Sequence, residues 1–290
     1  MKVDVGTIKT DWDGFNRIAG IADATQLLFG DPVELDFSNC TFFEANMVAP
    51  LQAVIARLYD ELNDVSVKNL KTDVQNILRK NGFLEAFGLE AIPDIHMTTL
   101  PLKRFKKDAG EQFYEYLDRY MNEKGIPHMS DALTKRFRES LFEIFQNSTL
   151  HSKSSLGIFV CGQFYPHKYK LDFTIADAGI GIRDNVRKYL KKPKLTSRSA
   201  IEWALVEGNT TKTGKQPGGL GLKLIKEFIK KNSGKIQIVS RFGYYEFQHG
   251  DDSFLRMDHD FPGTIVNIEI NTNDIKSYRL SSDLRRADIF

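Results

Sequence analysis

Hydrophobic and polar positions divide the chain into two stretches of different character. In the first, Val33, Leu35 and Phe37 alternate with Glu34 and Asp36, the period-two pattern of a strand with one buried face. Phe42 and Phe43 follow a short polar turn. Over residues 46–62 the period changes. Met47, Leu51, Val54, Ile55, Leu58 and Leu62 then share one helical face, with Asn46 placed to cap it. Val65 and Val67 predict a further strand, and residues 74–78 another helix closed by Asn81-Gly82. Strands alternating with helices predict a small α/β domain over residues 1–97. The run of Pro, Asp and Thr within residues 91–101 marks its boundary.

Beyond that boundary the pattern predicts strands at 100–105, 156–164, 169–177, 235–242 and 264–270. Helices are predicted at 111–123, at 130–151 with Ser130 or Asp131 as cap, and at 218–231. Paired helices beside a mostly antiparallel sheet make residues 98–290 an α+β unit.

Composition narrows the class without naming a function. The 290 residues are 41% hydrophobic and 27% charged, enough for two ordinary domains. A formal charge of +2, from 40 basic and 38 acidic side chains, demands neither nucleic acid nor a membrane surface. The basic stretch at 103–107 reads as a solvated face. Two cysteines, Cys40 and Cys161, cannot build a disulfide framework or a cysteine zinc site, and their apolar surroundings place them in the core. The histidines show no metal-ligand spacing. No signal peptide and no apolar run long enough for a membrane span is read, so a cytoplasmic protein is expected.

Three separated motifs carry the chemistry. Glu143 and Asn147 lie four residues apart in the 130–151 helix and so share a face, where a carboxylate and a carboxamide can polarise a water and hold a metal-bound phosphate. Asp177-Ala178-Gly179-Ile180-Gly181 ends a strand in a carboxylate and turns on two glycines. Such a turn lets backbone approach a flat ligand whose amino group the carboxylate can accept. Gly218-Gly219-Leu220-Gly221-Leu222 opens a helix, and free N–H groups at the positive end of a helix dipole suit a polyphosphate.

Taken in this order, the motifs resemble those of the GHKL family, which includes gyrase-type topoisomerases, heat-shock chaperone ATPases, histidine kinases and mismatch-repair ATPases. The resemblance covers residues 130–272, with Gly263-Thr264 similar to the family's late Gly-Thr. It implies a Bergerat fold, a two-layer α/β sandwich of helices on a mixed, mostly antiparallel sheet, that binds ATP with Mg²⁺. Asn147 would ligate the Mg²⁺, and Asp177 would accept the adenine amino group. Gly179 and Gly181 would shape the adenine pocket, and Thr264 would support Asp177 through a water. Gly219, Leu220, Gly221 and Leu222 would present backbone amides to phosphate, and Glu143 would act on the attacking nucleophile. Residues 185–217 would form the ATP lid, basic through Lys191, Lys192, Lys194, Arg198, Lys212 and Lys215. His151, near the Glu/Asn pair, reads as a packing residue.

Residues 1–97 resemble a STAS domain, the fold of anti-sigma-factor antagonists, in Val33 to Phe37, in Phe42-Phe43-Glu44 with the helix after it, and in residues 65–87. Where phospho-regulated members carry a serine before that helix, this chain reads Glu44-Ala45-Asn46-Met47, so the acceptor is missing and a docking or regulatory role remains. Three functions follow: an ATPase that switches a conformation or a protein partner, a serine/threonine kinase of the anti-sigma type, or a non-hydrolysing nucleotide scaffold. The polar and charged residues 271–290 read as a mobile or docking tail.

Overall fold

The computed structural model describes residues 1–290 apart from 123, 207, 210, 212–219 and 281–290, and apart from the side chains of His151, Leu220 and Gly221. The chain is α+β, with helices, a three-stranded parallel sheet and a five-stranded antiparallel sheet. No helix among the described residues is long and apolar enough to cross a membrane.

The first sheet joins β1 (Lys2–Asp4), β2 (Pro32–Asp36) and β3 (Asp64–Lys68), with Val33 opposite Val65. Parallel neighbours need crossovers. These are α1 (Trp12–Ala24), whose first turn is capped by Asp11 accepting from the Gly14 N–H at 2.9 Å, and α2 (Val48–Asp60). α3 (Thr72–Lys80) follows β3. The helix predicted from 46 starts two residues later, after a 3₁₀ turn over Ala45–Met47. Asn46 is not its cap. Its amide is wholly buried and donates to Thr174 Oγ1 at 3.1 Å and Asn267 Oδ1 at 3.2 Å. A carboxamide satisfies more buried partners there than a single helix N–H could offer.

The second sheet runs β4 (Thr99–Phe105), β5 (Ile158–Tyr165), β6 (Lys170–Asp177), β8 (Asp251–Asn271) and β7 (Lys235–Gln248), in that spatial order. Every pair is antiparallel, so the sheet is not mixed as expected; the parallel strand pairs among the described residues lie within residues 1–97. β7 and β8 reach well past the predicted strands and form a long hairpin.

The sheet carries helices on both faces. On one, α4 (Gly110–Met121), α5 (Asp131–His151) and α8 (Leu220–Asn232) bury Phe113, Phe145, Ile225 and Phe228 against Phe173, Ile175, Ile238 and Val266. Ser130 caps α5, accepting from the Leu133 N–H at 3.3 Å. On the other face, Phe15, Ile18, Met47 and Leu51 of the first block pack on Phe159, Cys161, Ala176 and Val239. A third layer therefore stands where two were expected. The alternate residues of β6, β7 and β8 are mostly apolar or hydrogen-bonded, which lets this face be buried. Asp172 is an exception, its carboxylate reaching the Lys170 ammonium while its Oδ1 has no hydrogen bond among the described residues.

The polar part of that interface is a continuous network. Lys170 Nζ lies 3.0 Å from Glu44, 2.8 Å from Asp172 and 3.4 Å from Glu269. Gln237 Nε2 and Lys235 Nζ both donate to the Thr10 carbonyl at 3.1 Å. The tail is not free as far as residue 280: Tyr278 is buried and bridges Met129 beside the start of α5. Cys40 and Cys161 are buried in the core.

Candidate functional site

A cavity of about 180 Å³ opens between α5, the end of β6, the middle of β8 and two helices that follow β6. These are α6 (Gly181–Leu190) and α7 (Ser197–Leu205). Its walls are largely aliphatic, with Ile144, Ile182, Val186, Ile201, Ile238 and Val266. Its polar residues include Asn147, Ser148, Asp177, Asn185 and Thr264. Two of the three motifs therefore meet in one recess, together with Leu222 from the first turn of α8.

Asp177 ends β6 and is buried, with Thr264 directly opposite on β8. Burial pushes its carboxyl up from the usual 3.8 to about 7, against the Ser148 hydroxyl and the backbone of Gly179 and Thr264, which favour the charged form. Its Oδ1 has no hydrogen-bond partner among the described residues. A buried acceptor without a donor is costly. Asp177 is part of the recess lining, so the carboxyl carrying this unsatisfied oxygen borders the space of the cavity.

The turn after Asp177 is shaped by close approach. A Cβ on Gly179 would stand 2.2 Å from the Ser152 carbonyl, which accepts from the Ile180 N–H at 2.9 Å. Glycine is the residue that lets the end of α5 lie so close. Gly181 has φ +77°, the left-handed region, and its position lets the chain enter α6 along the pocket wall.

Asn147 is half-buried and lines the pocket; Glu143, one turn earlier and also half-buried, does not line it. The end of α5 thus brings Asn147 to the recess, with Glu143 one turn earlier and outside its lining. Gly219 lies outside the described residues, while Leu220 and Gly221 begin α8.

The segment expected as lid, 185–217, runs through the rest of α6 and α7, with Lys212 and Lys215 outside the described residues. Trp203, Ala204, Leu205, Asn209 and Thr211 of this segment line the pocket. Lys191, Lys192 and Lys194 are exposed and do not line it, and Arg198 pairs with Glu202 at 2.8 Å. The His151 side chain also lies outside the description.

Sequence reasoning gave no part in the site to Ser148 or Ser152. Ser148 follows Asn147 directly, but its link to Asp177 spans the chain and leaves no local signal. Among known proteins, the chain matches no family model and no curated protein.

Proposed function

We propose that this recess binds Mg-ATP, and that residues 98–290 are a GHKL-type, Bergerat-fold domain carrying a STAS-like block on its back face. The observation that carries the reading is the unpartnered Oδ1 of buried Asp177 in an otherwise aliphatic slot. A flat heteroaromatic ring with one exocyclic amino group fits such walls, and adenine has that group where guanine has a carbonyl oxygen.

The Mg²⁺ part rests on the donor type. Asn147 offers a hard amide oxygen at the pocket. Among the described residues no group of three His, Cys, Asp or Glu side chains could hold a metal alone. Mg²⁺ commonly takes one or two protein oxygens and completes its shell with phosphate and water, so a single Asn is a sufficient anchor. Bound ATP supplies a γ-phosphoryl group whose transfer releases the energy for a switch. Asn147 would hold the metal, Asp177 would orient the base, and Glu143, one turn before Asn147, would take the proton of the attacking hydroxyl or water.

Hydrolysis coupled to a conformational or partner switch is the favoured reaction. A kinase acting on its own STAS-like block is disfavoured by the packing. Asn46, within the Glu44-Ala45-Asn46-Met47 stretch that stands where the acceptor would be, is wholly buried against β6 and β8 on the face away from the cavity. A kinase reading therefore needs a hydroxyl from another chain. Calorimetry with Mg-ATP and Mg-GTP tests the base assignment, and equal affinities would overturn it. Release of labelled phosphate, against label transfer to added protein, separates the two reactions.

A further inference from the structure

Behind the pocket, one side chain that does not line it is fully engaged. Ser240 is wholly buried in β7, at the position just before the β7–β8 ladder shifts register on either side of Arg241. Its Oγ accepts from the Ile182 N–H at 2.8 Å and donates to the Gly263 carbonyl at 2.9 Å. Thr264 Oγ1 stands 3.2 Å away. A serine hydroxyl has one proton and two lone pairs, so donating to Gly263 while accepting from Ile182 and Thr264 uses all of them. Ile182 and Thr264 both line the cavity, and Gly181 lies between Ile182 and the Asp177 turn. One buried hydroxyl thus joins the start of α6 to the strand opposite Asp177.

The strand holding Ser240 is itself clamped. Arg241 has φ +54°, a left-handed conformation that a residue with a side chain keeps only when its surroundings hold it. Asp260 of β8 pairs with the Arg241 guanidinium. The two residues before Asp260 are fastened to α1: Asn16 Oδ1 accepts from the Asp258 N–H at 3.0 Å and the His259 N–H at 3.3 Å. His259 Nδ1 lies 3.2 Å from Asp23. The bulge is therefore anchored in the first block.

We propose that Ser240, held by the Arg241–Asp260 bulge, is a positioning residue for the base end of the nucleotide pocket. This rests on the adenine-nucleotide reading above. Ser240 supports the Asp177 turn and Thr264; it has no contact with Asn147 or the start of α8 among the hydrogen bonds described. Its loss should weaken every ligand that carries adenine by one common factor, whatever its number of phosphates.

The test titrates adenosine, Mg-ADP and Mg-ATP by calorimetry into the full chain, as wild type, Ser240→Ala, Asp260→Asn and Asp177→Asn. Urea melts establish the folded fraction of each. Ser240→Ala is expected to bind all three ligands about ten-fold more weakly while fully folded, and Asp260→Asn several-fold more weakly. Undiminished binding by folded Ser240→Ala overturns the proposal alone, as does a loss confined to the ligands with phosphate. A purely structural serine would lower stability and leave these affinities unchanged. Should Ser240→Ala not fold, Asp260→Asn, which keeps the hydroxyl, must show the even loss, and unchanged affinities there overturn the proposal. A wild type that binds none of the three overturns the nucleotide reading and the proposal with it.

Discussion

Replacing Asp177 with Asn should move stability and binding in opposite directions. The side chain is buried, and its carboxyl is raised from 3.8 to about 7 because burial penalises the charge. A carboxylate raised in this way contributes most at low pH, below 3.8, and its contribution is lost as pH rises through about 7. Linkage puts the change between about pH 5 and about pH 8 at roughly 2.5 kcal/mol. Asn keeps the shape, can turn its carbonyl toward Ser148, Gly179 and Thr264, and carries no charge to desolvate. Asp177→Asn should therefore gain on wild type by about 2.5 kcal/mol between those two pH values. Comparing the two proteins cancels the titration of every other group. For Mg-ATP the sign reverses, because the charge-assisted bond to the base is lost. Affinity should fall by about 1.5–3 kcal/mol, or roughly ten- to a hundred-fold. Urea melts at both pH values give the first quantity and calorimetry the second. A variant with no pH-dependent gain refutes the burial argument, and one with wild-type affinity refutes the base contact.

The remaining predictions concern the metal, the nucleophile and the interface. Asn147→Ala should weaken Mg-ATP binding and abolish turnover together, read by calorimetry and phosphate release. Glu143→Ala should retain Mg-ATP and lose about 10²–10⁴-fold in rate, and full turnover would make Glu143 a solvated helix residue. Lys170→Met removes the cation among Glu44, Asp172 and Glu269 and should destabilise the protein by about 3–5 kcal/mol in urea melts. A chain starting at residue 98 would expose Phe159, Cys161, Ala176, Val239, Tyr244, Met257, Phe261 and Ile265. At about 1.5–3 kcal/mol for each large side chain this approaches a typical domain's whole stability, so no cooperative melt is expected. A melt matching that of the full chain would show that the two blocks fold independently.

The period-two and period-3.6 patterns sufficed for most strands and helices, because those periods follow from backbone geometry alone. They located β2, β3, β5 and β6 and the long α5, and the Glu143, Asn147 and Asp177 motifs fell on the elements expected. Local signals did not reveal α1, α6 or α7. Nor could they say what covers a sheet face. In β6, Leu171, Phe173 and Ile175 alternate with Asp172, Thr174 and Ala176, a pattern that reads as one face buried and one wet. Both faces are buried, because Asn46 and Glu44 come from distant positions to meet the polar set, together with Lys170 of the same strand. The same limit hid Ser148 beside Asp177 and Ser240 behind Ile182. Residue types and local periodicity were enough to say which side chains could do chemistry and on which element each would sit. Which of them lost water follows from packing between distant elements, and a polar group's partners and charge cost depend on that loss rather than on its neighbours in the chain.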